Sequence, residues 1–560
     1  MVGRCTTVTP RCASAHTVPL AKALAGLGPF VLDGPVASVL PPKPASIESR
    51  LGSSRRELRG AYRGTRDRVD RRGRGGPGVR VVVVGGGWAG IAASIVLAER
   101  GVQVTLVEKG DSIGGRAGAF EVRLEDGASF RMERSFPAIF PQYYNVRALL
   151  RRVDPELASL RRLEDYPVLA HDGTQASFGG LPSTPPLNLI ALLRRTPFVS
   201  LADLRQLDVV AMRALLTFDP QKSYAEHDRE TAGSFLDRLG LPSRARELLL
   251  RVFCHGAFRD AGTLSAAEMM SLLHYHFLGN PEGLAFEVPD EPTCDAFFAP
   301  FSRYLAGLGV EVRLGQKATA VHAARGDKLA VEAGGTIEAD GVVLALDVRG
   351  TQALFAASPD LRRDTELAEG VQALCTSPGY FVLRLFLDRA PDPTRPAYAA
   401  VVGHGMLDGI ALFDRLEGES RRWALRTGGA VVQLWAFGVP DSLGDVAASE
   451  ALRSALEELY PELRQATVLH AEVLRDAERA GFGPGSAASR PKVGTPYGNV
   501  TLAGDWVKLP FPAALMERAA ASGVMAANAL LDRWDVRGEP VWTLPPRGFV
   551  ASLAGLRFGR

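Results

Sequence analysis

Three glycines and one glutamate have the types and spacing that bind a dinucleotide. Gly85, Gly87 and Gly90 follow the valine-rich run at 79–84 in the spacing G-x-G-x-x-G. The first glycine permits a tight turn, the second lets backbone N–H groups approach a pyrophosphate, and the third lets the next helix pack on the strand. A second predicted strand ends at Glu108, where an acidic side chain meets ribose hydroxyls. The pattern predicts a pyrophosphate at the helix N-terminus, and Glu108 argues against a 2′-phosphate.

A second glycine-rich turn follows at Gly114-Gly115-Arg116-Ala117. It resembles the second phosphate-contacting turn of the flavoprotein superfamily that includes the amine oxidases and the carotenoid desaturases. A plain NAD-dependent dehydrogenase does not need such a turn. The resemblance implies that Gly115 and Arg116 bind the cofactor. The alternative for Arg116 is a solvated surface arginine.

The C-terminal part of the chain contains a second candidate cofactor motif. Residues 500–531 comprise a predicted strand, a Gly504-Asp505 turn, a proline-rich approach and a long alanine-rich helix. This segment resembles the flavin-closing motif of the same superfamily, which implies that Gly504 and Asp505 bind the ribityl chain and that amides near Met516 face the pyrimidine edge. A helix N-terminus stabilises the negative charge of a reduced flavin there. The two motifs together predict FAD, and it is bound non-covalently because no cysteine follows Cys375.

Longer segments narrow this resemblance. The bacterial carotenoid φ-ring synthases, also called isorenieratene synthases or β-carotene desaturase/methyltransferases, are similar to four of them: FPQYYNVRALLRRVDPELASLRRLEDYPVL, SFGGLPSTPPLNLIALLRR, FLGNPEGLAFEVPD and AGDWVKLPFPAALMERAAASG. The likeness covers most of residues 79–545. One departure is Ser135-Phe136-Pro137, where a Gly-Phe-His sequence is expected, and it keeps a sister reaction open.

The resemblance implies a reaction class. An enzyme of this kind desaturates a β-ionone ring of a carotenoid, with intramolecular migration of a methyl group, to give an aromatic φ-ring. It uses FAD and a hydrophobic carotenoid substrate, and the resemblance does not identify the electron acceptor. Phytoene desaturases, hydroxysqualene dehydroxylases and amine oxidases share both flavin motifs. A flavin-free prenyl-binding protein of the Rab escort type is a further alternative.

Three carboxylates are candidates for proton transfer: Glu133, Asp505 and Glu517. For Glu133, a surface carboxylate is the favoured interpretation, so it is a weak catalytic candidate. Asp505 and Glu517 are favoured as cofactor ligands. No other residue is assigned a catalytic role.

The middle of the chain is apolar enough to form the wall of a tunnel for a hydrocarbon. Its candidate wall residues are Tyr143, Tyr144, Met270 and Phe277, although the aromatic and Met content of the predicted helix fits either a core or the wall of an apolar cavity. Ser265 and Glu268 form a capping-box pattern at the start of one predicted helix. His274 and His276 follow on this helix, but residues two apart point to different sides of a helix, so no metal site is predicted.

These motifs predict an α/β fold, α+β overall. It consists of a Rossmann-type FAD-binding domain of the glutathione-reductase type, interleaved with a substrate domain of mixed sheet and helices. The predicted segments are a disordered basic tail at 1–78, a discontinuous FAD-binding domain at 79–130, 295–350 and 480–535, and a substrate-binding domain at 131–294 and 351–479.

Composition limits the partners. Residues 1–80 hold 15 Lys and Arg against 5 Asp and Glu, so the total of +3 leaves the rest of the chain at about −7, which excludes a nucleic-acid footprint. Five scattered cysteines fit a reducing compartment. No run of about 18 apolar residues is present. We therefore expect a cytoplasmic protein with peripheral membrane contact. For the tail, a transit peptide, a wrongly chosen start codon and an arm on anionic lipid are alternatives.

Overall fold

The computed structural model describes residues 78–545 except for short internal stretches. Those stretches are 125–126, 164, 166, 183–186, 189–190, 192–193, 195–202, 204, 244, 247–259 and 280–284. The tail predicted at 1–78 lies outside the described residues, apart from Gly78.

The described elements are labelled in chain order. The helices are α1 Trp88–Ala98, α2 Tyr144–Leu150, α3 Val209–Leu216, α4 Pro220–His227, α5 Ala232–Leu239, α6 Ala266–Leu273, α7 Ala299–Gly307, α8 Val348–Ala357, α9 Thr365–Gln372, α10 Gly418–Thr427, α11 Asp445–Leu459, α12 Ser486–Ser489 and α13 Leu515–Arg533. The strands are β1 Arg80–Val84, β2 Gln103–Val107, β3 Ala119–Arg123, β4 Ser129–Glu133, β5 Leu160–Leu163, β6 Pro167–Ala170, β7 Gln175–Ser177, β8 Phe286–Pro289, β9 Glu311–Arg313, β10 Ala320–Ala323, β11 Leu329–Glu332, β12 Thr336–Ala339, β13 Gly341–Leu344, β14 Cys375–Thr376, β15 Gly379–Leu387, β16 Tyr398–Val402, β17 Gly409–Leu412, β18 Ala430–Val439, β19 Val468–Asp476, β20 Ala480–Gly481 and β21 Val500–Leu502.

A five-stranded parallel sheet carries the two predicted cofactor motifs. Its order is β21-β13-β1-β2-β9. Val81 pairs with Gly341 on one side and with Val104 on the other, in parallel register. The central strands are buried along almost their whole length, which explains why they read as continuous apolar runs rather than alternating ones. Helix α1 connects β1 to β2, as the glycine fingerprint predicts.

Helix α13 returns the end of the described chain to this sheet and packs along α1. The two backbones are in close contact where Gly523 faces Ala89, since a Cβ added at Gly523 would overlap the Ala89 carbonyl. Gly90 makes a similar approach to the carbonyl of Gly85. Glycine at these positions lets the first and last cofactor motifs lie side by side.

A seven-stranded mixed sheet, of order β19-β15-β18-β17-β16-β6-β7, forms the second layer. Its strands follow the two-residue period of a sheet. Phe381 and Leu383 point to one face, where they pack with Leu452 and Leu456 of α11. Tyr380 and Trp435 belong to the opposite face and to the larger core. The sheet therefore has one face on a helix and one face toward the interior.

The predicted α/β class with a Rossmann-type sheet and a mixed-sheet layer is confirmed. Individual elements agree as well: the valine-rich run at 79–84 forms β1, and the predicted strand before Glu108 is β2. The smaller sheets are the three-stranded β10-β11-β12 and the pairs β3-β4, β5-β8 and β14-β20. The division of the chain into two domains stays a prediction.

The capping box predicted at Ser265 forms only in part. The Ser265 hydroxyl accepts a hydrogen bond from the Glu268 N–H, so Ser265 is the N-cap of α6. The return bond is absent, because the Ser265 N–H donates to Phe482 O. The Glu268 carboxylate is buried and instead binds Arg518 and Arg490. Glu268, which the local pattern assigned to capping, instead forms ion pairs with arginines that are distant in sequence.

The close approach of α13 to α1 predicts the effect of one added methyl group. Gly523→Ala should lower the free energy of unfolding by roughly 1–3 kcal/mol, because the rigid Ala89 carbonyl has to move. Gly307→Ala in α7 is the matched control, since its Cβ meets nothing within 4 Å. Denaturant unfolding of both variants measures the difference. Equal stability of the two would contradict the packing described.

Candidate active site

A cavity of about 1470 Å³ lies between the carboxyl ends of the parallel strands and the inner face of the mixed sheet. Ligands of open α/β sheets bind outside the carboxyl ends of the strands. Eight of the nine predicted cofactor residues line this cavity: Gly85, Gly87, Glu108, Gly115, Arg116, Gly504, Asp505 and Met516. Gly90 lies behind it, where it packs α1 against the glycine turn. The tertiary structure thus brings together residues that are about 400 positions apart in sequence.

The first glycine turn has the shape and polarity that a pyrophosphate requires. A Cβ added at Gly87 would meet nothing within 4 Å, so open space lies over this residue. Gly87 is the N-cap of α1, and no side chain caps the helix start. The first turn of α1 contains no acidic residue. Free amides at a helix N-terminus attract an anionic group, so the turn fits the predicted cofactor.

Glu108 lies at the rim of this turn with its carboxylate held by backbone amides. Oε2 accepts a hydrogen bond from the Gly86 N–H at 2.6 Å, and Oε1 accepts one from the Gly110 N–H at 2.8 Å. A carboxylate offers about four acceptor positions, so two remain for hydroxyl groups. We propose that Glu108 binds the ribose of FAD.

Arg116 and Asp505 connect the two glycine-rich turns. The Arg116 guanidinium donates to Asp505 Oδ1 at 2.7 Å and to the Glu478 carbonyl at 3.3 Å. Both side chains line the cavity and are largely buried. The alternative of a solvated surface arginine is therefore wrong. We propose that this ion pair lies beside the phosphates and the ribityl chain of the cofactor.

The start of α13 forms the other polar end of the cavity. Leu515 and Met516 line it, and no side chain caps this helix at Ala514. Leu515 has a φ of +48°, a left-handed conformation that costs a branched residue roughly 1–3 kcal/mol. Such strain is concentrated at ligand sites. Met516 borders the cavity, and we propose that the amides near it face the flavin.

Glu517 does not line this cavity, which contradicts its interpretation as a cofactor ligand. Its buried carboxylate accepts hydrogen bonds from the Asn145 N–H at 2.9 Å and the Val146 N–H at 3.0 Å. These are the amides at the start of α2, so Glu517 caps a helix about 370 residues away in sequence. Burial raises the pKa of Glu517 to about 8, although the three N–H donors, which include the Asn145 side chain, oppose the shift.

Glu133 is not the surface carboxylate that was favoured. Its side chain is 2% exposed and lines the cavity. The Arg384 guanidinium donates to Glu133 Oε2 at 2.9 Å, and the Thr293 N–H donates to Oε1 at 3.3 Å. The ion pair compensates for the burial of both charges. Glu133 is therefore a buried carboxylate at the cavity wall.

Two residues of this group were missed in the sequence. Arg384 and Gln433 are directly opposed on β15 and β18, and the Arg384 guanidinium donates to Gln433 Oε1 at 2.6 Å. Each interrupts an apolar strand, GYFVLRLFL and AVVQLWAFGV. A polar side chain inside such a run is the signal that could have revealed them. Glu417 lies nearby, and burial together with the charge of Glu133 raises its pKa.

Aromatic rings cover the inner face of the mixed sheet. Phe136 stacks on Trp435 with 5.6 Å between ring centroids and lies 4.6 Å from the Tyr398 ring. Tyr380 stacks on Phe437 at 5.1 Å. All five line the cavity. The departure at Ser135-Phe136-Pro137 lies within this wall, since all three residues contact the cavity.

Of the predicted tunnel residues, only Tyr143 lines the cavity. Tyr144 is partly buried against the core, and Met270 and Phe277 lie inside it. For these three the core alternative holds, and the sequence left it open because a helical apolar pattern does not distinguish a core from a cavity wall.

His274 and His276 also lie in the core. Their ring nitrogens face Pro545 O at 3.0 Å and the Gln142 side chain at 3.5 Å, respectively. Burial lowers the pKa of each to about 4, so both are neutral near pH 7.

Comparisons with known proteins agree with this geometry. The family described as flavin containing amine oxidoreductase matches residues 88–531. The chain belongs to this family. Its cofactor is FAD, and the structure neighbours fit the same fold. We propose that FAD binds in the cavity onto which the uncapped starts of α1 and α13 open.

The flavoprotein has relatives that extend over most of its length. It is 44% identical over 478 residues to a carotenoid phi-ring synthase from Streptomyces griseus, covering 85% of this chain and 92% of the relative. It is 27% identical over 602 residues to one from Chlorobaculum tepidum, covering 84% and 91%. The predicted resemblance is confirmed.

A solved structure shows the fold. Cyclohexylamine oxidase from Brevibacterium oxydans aligns with a TM-score of 0.60 at 16% identity, over 82% of this chain and 100% of that one. Together, the comparisons favour a flavin-dependent oxidoreductase over the flavin-free prenyl-binding alternative.

The proposed cofactor contacts predict two losses. Glu108→Ala and Asp505→Ala should each weaken FAD binding by roughly 1.5–3 kcal/mol, because each removes a charged acceptor for a cofactor hydroxyl. Asp111→Ala, which removes an exposed carboxylate from the same rim, should keep its flavin. The ratio of flavin to protein absorbance after gel filtration measures occupancy. Full occupancy in both test variants would contradict the assignment.

The raised pKa of Glu517 predicts a pH dependence of stability. The folded state holds the proton up to about pH 8, whereas the unfolded chain releases it near 4.5. The contribution of Glu517 is therefore greatest below pH 4.5 and decreases as the pH rises toward 8. Glu517→Gln should remove this component, as seen in the difference between the unfolding free energies of the two proteins. A difference that stays constant from pH 5 to pH 8 would refute it.

Proposed function

We propose that this flavoprotein converts β-ionone end groups of a carotenoid into aromatic φ-rings. The proposal rests on the similarity to two proteins named carotenoid phi-ring synthase, of which the chain covers 92% and 91%. When bound, FAD accepts the hydride that each desaturation removes. The residues of the chain position the ring, exclude water and receive the protons.

The aromatic wall supports a hydrocarbon substrate whose ring becomes cationic. Migration of a geminal methyl group to the neighbouring carbon requires an electron-deficient carbon in the ring. The faces of Phe136, Tyr398 and Trp435 carry negative electrostatic potential, and such a face stabilises a cation by about 0.5–2 kcal/mol. The same surfaces are apolar and exclude water. They suit an end group that has no hydrogen-bonding atoms.

We propose that Glu133 stabilises the positive charge that develops on the substrate ring beside the aromatic wall. It is buried, lines the cavity, and is held in one orientation by Arg384 and the Thr293 amide. A fixed carboxylate stabilises a developing cation without reorganisation. It also accepts a proton when the ring aromatises, since Glu133 lines the cavity.

Contact with a membrane is part of the proposal, because a carotenoid partitions into lipid. Within the described part of the chain, no helix is long and apolar enough to cross a membrane. Val210 on α3 is 77% exposed, and Val209 beside it is also exposed. We propose peripheral contact from the cytoplasmic side through apolar surface of this kind. The carotenoid end group then enters the cavity from the lipid.

Expression in a host that makes β-carotene tests the reaction. We expect products with one or two aromatic rings, in which each ring has lost four hydrogens and no carbon, as determined by chromatography and mass spectrometry. Asp505→Ala should convert much less β-carotene because its FAD occupancy is reduced. If the unmodified protein leaves β-carotene unchanged but desaturates phytoene or dehydroxylates hydroxysqualene in hosts that make them, the protein catalyses a sister reaction. The departure at 135–137 would then be connected with that difference.

The role of Glu133 has its own test. Glu133→Gln keeps the size of the side chain and should reduce aromatic product at least about 100-fold while flavin content stays normal. Glu121→Gln, an exposed carboxylate on β3 that also borders the cavity, is the matched control and should retain activity. Wild-type product levels in Glu133→Gln would exclude a catalytic role.

A further inference from the structure

Two histidines and a glutamate meet at one end of the mixed sheet, and none of them lines the cavity. His171, His404 and Glu458 each offer one ligand atom, and these atoms lie within 4.8 Å of one another. Within the described parts of 78–545, no other three His, Cys, Asp or Glu side chains are grouped this way. We propose that these three side chains bind a divalent cation, with Zn²⁺ as the best match.

The sheet topology places the two histidines together. Strands β6 and β16 are parallel neighbours, with Ala170 opposite Val402 at their last residues. His171 follows β6 directly, and its N–H donates to the Val402 carbonyl at 3.0 Å. His404 follows β16 by two residues. Both imidazoles therefore leave the same end of two adjacent strands, and their ring centroids are 4.9 Å apart.

The turn after β16 is shaped for this approach. Gly403 has a φ of +80°, and a Cβ there would lie 3.2 Å from the Cβ of His171. A larger residue would strain the turn and push the two histidines apart. His404 itself is only 8% exposed, so its ring is fixed by its surroundings.

The third candidate ligand, Glu458, comes from helix α11 rather than from a strand end. Glu458 lies in the last turn of α11, whose Leu452 and Leu456 anchor the helix on the sheet. Its carboxylate Oε2 lies 3.3 Å from His404 Nδ1. His171 and Glu458 are both exposed, which gives a cation access from solvent. The three ligands thus come from three separate segments.

The donor set fits Zn²⁺. Two neutral imidazoles and one carboxylate are ligand types that Zn²⁺ takes at about 2.0–2.2 Å, and the single negative charge partly offsets the cation. Ligand atoms around such an ion lie roughly 3.3 Å apart, so the two exposed side chains have to rotate inward. Three protein ligands leave a fourth position for water. Bound Zn²⁺ would join the turn after β6, the turn after β16 and the end of α11.

Zinc binding to the intact flavoprotein tests this proposal. After chelator treatment, the protein is dialysed against micromolar Zn²⁺, and bound metal is measured by mass spectrometry. We expect a site lost or weakened at least about tenfold in His171→Ala and in Glu458→Gln. His322→Ala, which removes a half-exposed histidine on β10, is the matched control and should bind like the wild type. Zn²⁺ should also raise the thermal midpoint of the wild type and the control but not that of the two ligand variants.

Both ligand variants change exposed side chains, and their flavin content shows whether they are folded. Failure of the wild-type protein to bind Zn²⁺ would overturn the proposal and leave a histidine–carboxylate hydrogen bond only. Equal Zn²⁺ binding by the wild type and both ligand variants would overturn it as well, because the metal would then lie elsewhere. The readouts do not depend on enzymatic activity.

Discussion

The close packing of α13 on α1 is the constraint on which the cofactor site depends. Gly523 lies against the Ala89 backbone, and the two helices are so close at this point that a Cβ at position 523 would overlap the Ala89 carbonyl. Their starts, at Gly87 and Ala514, consequently open on one cavity, and neither is capped by a side chain. Two helix N-termini directed at the same space add their positive electrostatic potential to that of Arg116, which lines the same cavity. That potential suits the phosphates at one end and the electron-rich edge of a reduced flavin at the other.

Both faces of the mixed sheet are buried, so polar side chains on either face need partners. One face packs on α11 through aliphatic side chains, and the other carries the aromatic wall. Arg384 and Gln433 sit on the aromatic face, where an unpaired charge would be very costly. The Arg384 guanidinium is paired with Glu133 and donates to Gln433 Oε1, which offsets that cost and leaves a carboxylate at the cavity surface. A polar group of this kind within an apolar sheet is typical of a functional surface rather than of a core.

Much of the fold was predictable because local patterns carried it. The valine-rich strand, the strand before Glu108 and the two glycine turns follow from periodicity and from residues with special backbone geometry. The spacing of the motifs reflects the geometry of a dinucleotide, and eight of the nine candidate cofactor residues line one cavity. Several acidic side chains were assigned wrongly. Glu517 and Glu268 were assigned local or cofactor roles, whereas their partners are Asn145 and Arg518, far away in the chain.

The sequence by itself determined the family, the cofactor and the order of the elements, because glycine turns and strand periods are local and leave a direct trace in residue spacing. Only the tertiary structure decided which carboxylate is buried, which aromatic rings line the cavity and which are core. The burial and pairing of a side chain depend on which residues of other elements lie opposite it. The spacing of residues along the sequence does not contain that information. Glu133 illustrates the difference: its neighbours in sequence suggest a surface strand, and Arg384, 251 residues later, makes it part of the cavity wall.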